Sequence, residues 1–311
     1  MKVLISSRSF GNADSVAIKK LKEIGLQPIF NPYGRKPTED EIIKLIDEKV
    51  VGIIAGTEKI TSKVIESASS LKVISRYGVG LDNVDLKYAE GKGIVVKCTP
   101  DAPTQAVAEL ALGLILNLLR KINFMDKSIK SNNWNSLMGN LLNEKNVGII
   151  GLGRIGKRLV ELIEPFHVNI LVCEPTPDMK FVKKHHIKLV TFSELISESD
   201  IISFHCPISN ETRKMIGRNE ISKMKKSVLI INTSRGGLIE EEALVEALEN
   251  KKIGGVAIDA FEKEPYSGKL IAFDNVILTP HIGSLTKETR EKMELEAVDN
   301  TINALREVKA I

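Results

Sequence analysis

The sequence predicts an α/β fold made of two parallel-sheet domains, and three observations carry that prediction. Short β-branched or apolar runs alternate with helical stretches along nearly the whole chain, the pattern expected where each parallel strand is reached through a helical crossover. The length of 311 residues corresponds to about two domains of roughly 150 residues each. Hydrophobic residues make up 43% and charged residues 27%, enough to bury a normal core and unlike the composition of a disordered chain.

In the first part of the chain, residues 3–5, 28–30, 51–55, 73–75 and 94–96 are the strand candidates. Between them lie stretches such as 40–46, whose apolar positions recur at helical spacing. The Pro-bearing segment Thr99-Pro100-Asp101-Ala102-Pro103 precedes a long helix candidate over 104–120, read as the crossing between the domains with a hinge at its start. The apolar run 110–119 is bounded by Glu109 and Arg120. It falls well short of the roughly 20 residues needed to span a bilayer, so it reads as a buried helix. A second series follows at 147–150, 170–173, 201–204, 228–232, 255–258 and 276–279, six strands for a doubly wound sheet. The tail from about 285 to 308 has helical spacing and no strand partner, and is expected to return onto the first domain. The 180–188 stretch, with Lys183, Lys184, His185 and His186, reads as a solvated helix face.

Lys and Arg number 44 against 40 Asp and Glu, a net +4. That balance excludes a nucleic-acid or anionic-membrane partner as the first expectation and leaves small anions open. Cys98, Cys173 and Cys206 form no CxxC or metal-ligand spacing, so no metal is expected and a reduced, cytoplasmic setting fits. The N-terminus lacks an export h-region.

Two constellations carry chemistry. The strand 147–150 runs into Gly151-Leu152-Gly153-Arg154-Ile155-Gly156, which opens a helical stretch. This is GxGxxG in the context that dinucleotide binding requires: a tight turn at Gly151, close backbone approach at Gly153, close helix packing at Gly156. Glu174 ends the next strand 18 residues after Gly156, where an acidic side chain takes the ribose hydroxyls and repels a 2′-phosphate. NAD is therefore expected over NADP. Further on, three strand ends present Arg235, a glutamate of the segment 259–265, which holds Glu262 and Glu264, and His281. A guanidinium holds a carboxylate bidentately, an imidazolium supplies a proton to a ketone oxygen being reduced, and a carboxylate beside the imidazole favours its charged form. Adjacent residues on a strand end point apart, so His205 and Cys206 are not expected to form a thiol nucleophile pair.

At these residues the sequence resembles the D-isomer-specific 2-hydroxyacid dehydrogenases, in their D-3-phosphoglycerate dehydrogenase-like branch. The matching motifs run in order over nearly the whole chain: Arg76-Tyr77-Gly78-Val79-Gly80-Leu81-Asp82-Asn83-Val84-Asp85, the GxGxxG, His205-Cys206-Pro207, Asn232-Thr233-Ser234-Arg235-Gly236-Gly237, Asp259 through Pro265, and Pro280-His281-Ile282-Gly283. The resemblance implies two Rossmann-like/flavodoxin-like parallel-sheet domains with the cofactor domain, 99–284, inserted into a substrate domain of 1–98 plus 285–311. It implies that Arg235 binds the substrate carboxylate, that Glu264 pairs with the imidazole and that His281 is the proton donor and acceptor. Arg154 and Ile155 would meet the pyrophosphate. Glu174 would meet the adenosine ribose. His205, Cys206, Pro207, Thr233, Ser234 and Arg235 would line the cofactor, and Asp259 with His281, Gly283 and Ser284 would frame its carboxamide. Gly78, Val79 and Gly80 would add backbone donors to the substrate carboxylate. The implied reaction is hydride transfer between NAD and a small anionic 2-hydroxy or 2-keto acid, with 3-phosphoglycerate, glycerate/hydroxypyruvate or glyoxylate as classes. A homodimer through the cofactor domain is also implied, using helix 104–120 and the segment around Trp134; Trp134 reads alternatively as core.

The chain departs from the phosphoglycerate pattern at Ala55-Gly56-Thr57-Glu58-Lys59, where no Arg stands ready for a phosphate. Glu58 there is expected to oppose a dianion and Lys59 to compensate in part. With the last residue at Ile311, no serine-binding regulatory domain is expected. The alternative from another class is an NAD(H)-sensing, corepressor-like binding protein of the same fold.

Overall fold

The computed structural model describes residues 1–11 and 16–311 and divides into two units, Met1–Pro103 with Ser284–Ile311, and Thr104–Gly283. In the first unit, strands β1 (Lys2–Ile5), β2 (Gln27–Phe30), β3 (Val50–Ala55), β4 (Val73–Arg76) and β5 (Val95–Cys98) form one parallel sheet in the order β2-β1-β3-β4-β5. The central strand β3 reads VVGIIA and is buried along its whole length, as a strand covered on both faces should be. Complete burial of a side chain such as Ile53 or Ile54 contributes about 1.5–3 kcal/mol.

The returning tail is the helix Lys287–Glu307, capped by Thr286, whose hydroxyl accepts from the Thr289 N–H. It lies on the first sheet: Ser75 Oγ donates to Ala297 O at 2.9 Å, Asn300 Nδ2 donates to Cys98 O at 2.9 Å, and the Thr301 methyl sits where a Cβ on Gly52 would be only 3.2 Å away. The leading segment of the first unit runs to Pro103. Thr99 holds the stretch after β5, its N–H donating to Gly78 O and its Oγ1 accepting the Gly78 N–H, both at 2.9 Å.

In the second unit, β6 (Asn146–Ile150), β7 (Asn169–Cys173), β8 (Lys188–Leu189), β9 (Ile201–Phe204), β10 (Leu229–Asn232), β11 (Gly255–Ile258) and β12 (Val276–Leu278) make a parallel sheet ordered β12-β11-β10-β9-β6-β7-β8. The chain winds outward from β6 in one direction and then from β9 in the other, so the switch point lies at β6 and β9, where ligands of such sheets bind. Seven strands stand where the sequence predicts six. The additional one, β8, has two exposed residues at the sheet edge and no apolar run to announce it. In the 180–188 stretch Lys180, Lys183, Lys184, His186 and Lys188 are exposed, as a solvated helix face should be, and His185 is the exception. Helix Met179–Lys184 is followed by His185, which is buried, packs on Phe181 and places Nδ1 3.0 Å from Glu164 Oε2.

Helix Thr104–Arg120 turns Ala108, Ala111, Leu114, Ile115, Leu118 and Leu119 into the second unit's core. No helix among the described residues is long and apolar enough to cross a membrane. Trp134 is not core; it is 89% exposed.

Candidate active site

The second unit presents its chemistry at the carboxyl ends of its strands. Gly151 follows β6 with φ +95°, and a Cβ there would stand 2.7 Å from the His205 carbonyl carbon. Only glycine satisfies both constraints. A Cβ on Gly156 would meet Gly151 O at 2.2 Å, so that glycine lets helix Arg154–Ile163 sit against the turn. Gly153 differs from both: nothing lies within 4 Å of the place its Cβ would take, and it caps the helix without a side chain. The helix N-terminus thus opens on a face free of side-chain bulk, as a pyrophosphate needs. Arg154 is exposed there, with Ile155 partly buried beside it.

Glu174, just beyond β7, spans the mouth of this turn. Its Oε2 accepts from Leu152 N–H at 2.8 Å and its Oε1 from Thr176 N–H at 3.1 Å. Across the switch point, Ser234 Oγ donates to Cys206 O at 2.6 Å. His205 contacts Ser203 Oγ through Nε2 at 2.8 Å, and desolvation pulls its ring down to about pKa 4. Burial pushes the Cys206 thiol up to about 11, so it is no thiolate nucleophile. Pro207 is exposed and its carbonyl accepts from Thr212 Oγ1. Thr233 Oγ1 is buried with no hydrogen-bond partner, a group that a bound molecule would complete. The open helix terminus, the Glu174 carboxylate and this orphaned hydroxyl together fit NAD.

Arg235, Glu264 and His281 come from the loops after β10, β11 and β12, which are neighbours with level ends: Asn232 pairs with Ile258, and Ile258 with Leu278. Asn232 shapes the Arg235 loop, its Nδ2 donating to Arg235 O at 2.8 Å and its Oδ1 accepting Ser234 N–H at 3.1 Å. The half-buried Arg235 donates from a terminal guanidinium nitrogen to Ser234 O at 2.8 Å. His281 Nδ1 lies 2.9 Å from Glu264 Oε1, and the His281 backbone is left-handed at φ +55°. That strained residue sits in a loop gripped by Asp259, whose Oδ1 accepts from Thr279 Oγ1 at 2.6 Å and Ile282 N–H at 2.8 Å and whose Oδ2 accepts from Gly283 N–H at 2.8 Å. Burial raises the Asp259 carboxyl above its ordinary range, while these three donors and His281 pull it the other way. Asp259 thus holds the histidine loop. The positioning role of Asn232 is one that sequence reasoning missed, although a polar residue ending an apolar strand was the available signal.

In the first unit, Gly78 has φ +146° and its N–H is taken by Thr99 Oγ1 and Arg76 O. Val79 is exposed. The N–H groups of Val79 and Gly80 donate to no other group among the described residues, so they rather than Gly78 are the loop's available donors. Glu58 does not oppose a dianion from the loop surface. It is buried, with Oε1 accepting from Gly56 N–H at 2.6 Å and from Ser6 Oγ, whereas Lys59 is exposed. Ser284, expected at the carboxamide, begins the segment that belongs to the first unit.

Comparison with known proteins places this arrangement. Residues 112–283 match the family model described as the D-isomer specific 2-hydroxyacid dehydrogenase, NAD binding domain. The chain is 40% identical over 279 residues to a D-3-phosphoglycerate dehydrogenase of Methanocaldococcus jannaschii, covering 88% of this chain but 52% of that relative, so it spans about half the relative's length. A hydroxypyruvate reductase of Thermotoga maritima is 39% identical over 273 residues, covering 86% of this chain and 88% of the relative. The crystal structure of an Aquifex aeolicus D-lactate dehydrogenase complexed with NAD and lactic acid superposes with a TM-score of 0.84 at 28% identity, over 99% of this chain and 96% of that one. The chain belongs to the D-isomer-specific 2-hydroxyacid dehydrogenase family, and its second unit contains the family's NAD-binding domain.

Proposed function

We propose that this chain is an NAD-dependent oxidoreductase interconverting a small D-2-hydroxy acid and its 2-keto acid. The observation that carries the reading is the 2.9 Å contact of His281 Nδ1 with Glu264 Oε1 at the strand ends of an NAD-binding sheet. NAD, when bound, supplies the hydride acceptor and its reduced form the donor. The protein supplies proton and charge. With Nδ1 engaged by Glu264, the His281 ring leaves Nε2 to give a proton to the carbonyl oxygen on reduction and to take it back on oxidation. Glu264 orients the ring through this contact. Arg235 holds the substrate carboxylate through two parallel charge-assisted hydrogen bonds. We assign Gly151, Gly153, Gly156, Glu174 and Thr233 to the cofactor, and the Val79 and Gly80 N–H groups to anion binding.

The test is NADH oxidation across phosphohydroxypyruvate, hydroxypyruvate, glyoxylate and bulkier 2-keto acids, with NADPH in parallel. Turnover of a small acid with NADH preferred is expected. Preference for phosphohydroxypyruvate would assign the phosphate to Lys59 or another cation in place of the absent Arg. NADH binding without turnover of any acid would overturn the reading in favour of the sensing protein, which no observation now favours.

The oligomer we propose is a homodimer in a reducing cytoplasm. Its support is the exposed apolar set Ile122, Ile129, Trp134, Met138 and Leu141, on a helix with no buried residue and the segment after it. Such a patch marks an interaction surface. Light scattering on Trp134→Ser tests it, with a monomer expected.

A further inference from the structure

The loop that carries Glu264 is exposed from Glu262 to Pro265, yet its carboxylate must stay fixed against His281. An exposed loop keeps one arrangement only where something else offsets its conformational entropy. The closure lies at its base. The rings of Phe261 and Tyr266 stack with centroids 4.4 Å apart at 23°, and Phe261 N–H crosses the loop to donate to Glu264 Oε1 at 3.2 Å. Tyr266 in turn is tied to the unit's body. Its hydroxyl donates to Glu241 Oε1 at 2.7 Å, on helix Glu241–Glu249, and accepts the Leu270 N–H at 3.2 Å, in the 3₁₀ turn Lys269–Ala272.

Gly268 is shaped for this contact. A Cβ there would lie 2.3 Å from the Tyr266 hydroxyl and 2.4 Å from Glu241 Oε1, although its φ of −85° is open to any residue. The glycine thus serves space and not backbone freedom. Desolvation and Glu241 push the phenol up to about 12, so it remains a donor wherever the protein is folded.

We propose that Tyr266 is a positioning residue for proton transfer: anchored by Glu241 and Leu270 and given room by Gly268, it closes the base of the 261–266 loop and thereby sets Glu264 against His281. This rests on reading Glu264 and His281 as the proton-transfer pair. It adds a hydroxyl, a glycine and a helix carboxylate to the machinery, none of which touches the reacting atoms.

The experiment uses the full chain with ¹⁵N-labelled histidine. The downfield proton resonance of the His281 Nδ1–H···Oε1 bond is assigned by its loss in Glu264→Ala. Tyr266→Phe keeps the ring stack and removes the hydroxyl, and Gly268→Ala crowds the same hydroxyl. Both variants are expected to broaden that resonance or move it upfield. Both should also lower kcat about tenfold with the KM for NADH unchanged within about twofold. Adding Tyr266→Phe to Glu264→Ala should cost nothing further, because the effect passes through Glu264; a merely structural tyrosine would lower both backgrounds alike. An unchanged resonance in both variants overturns the proposal. Absence of turnover in the unmodified chain overturns only the functional reading, since the resonance is measured without substrate.

Discussion

Gly236 lies directly against the Phe261–Glu262 peptide, so close that a Cβ on residue 236 would stand 2.1 Å from both the Phe261 carbonyl carbon and the Glu262 nitrogen. This brings the loop after β10, with Arg235, alongside the loop after β11, with Glu264. The obstacle to a larger residue is backbone and cannot swing aside. Gly236→Ala is therefore expected to part the two loops and reduce kcat/KM by about a hundredfold, the scale of a 1 Å misplacement. NADH binding, followed by its fluorescence, should persist because the Gly151 turn is untouched. A variant within about threefold of the unmodified chain would show that the two loops need not be in register.

A second expectation concerns Asp259. Its two oxygens accept from Thr279, Ile282 and Gly283 on both sides of His281. In Asp259→Asn the amide NH₂ must face one of these donors, leaving a buried N–H or O–H without an acceptor at about 1–3 kcal/mol. The midpoint of urea unfolding should fall accordingly, and kcat should fall with it while the KM for NADH holds. Were the KM for NADH to rise instead with kcat intact, Asp259 would be a cofactor contact and not the anchor of the histidine loop.

What could be read in the sequence was what is local. The GxGxxG turn, its strand and its helix are contiguous, and Glu174 follows one strand later, so spacing alone located them. Arg235, His281 and a glutamate between them were legible because each follows an apolar run, and in a parallel sheet such positions share one edge; that the glutamate is Glu264 and not Glu262 came from the family resemblance. Orientation across the fold was not legible. Glu58 turns inward because Ser6, on the far side of β1 in sequence, offers it a hydroxyl. Tyr266 finds Glu241 across 25 residues, and nothing in either neighbourhood signals the contact. Strand β8 escaped notice because two exposed residues at a sheet edge carry no periodicity.

Glu174 yields a third expectation. A carboxylate that accepts from the Leu152 N–H at 2.8 Å braces the glycine turn, and we propose that it also takes the ribose hydroxyls. Glu174→Ala removes a charged hydrogen-bonding group worth about 1.5–3 kcal/mol, so NADH should bind at least about tenfold more weakly. NADPH should lose less, since the repulsion of its 2′-phosphate goes too. Calorimetric titration with both nucleotides reads the difference, and an unchanged preference for NADH would remove Glu174 from the ribose site.

The last expectation is a pH dependence of stability centred on His205. Its backbone lies against the Gly151 turn while its ring Nε2 stands 2.8 Å from Ser203 Oγ, and desolvation depresses the ring from 6.5 to about 4. Between those values the unfolded chain binds a proton that the folded chain does not, so protonation favours unfolding there. The stability linked to this group is complete above pH 6.5, declines as the pH falls, and is fully lost near pH 4, a total of about 3 kcal/mol. Between pH 7.5 and 5 the loss should be about 2 kcal/mol. His205→Asn can still meet Ser203 through its amide but has no proton to gain, so its unfolding free energy from urea denaturation should fall less over this window by about 2 kcal/mol. Other carboxylates and histidines contribute equally to both proteins and cancel in the comparison. Parallel declines in the two proteins would mean that the His205 ring takes up its proton without leaving its site.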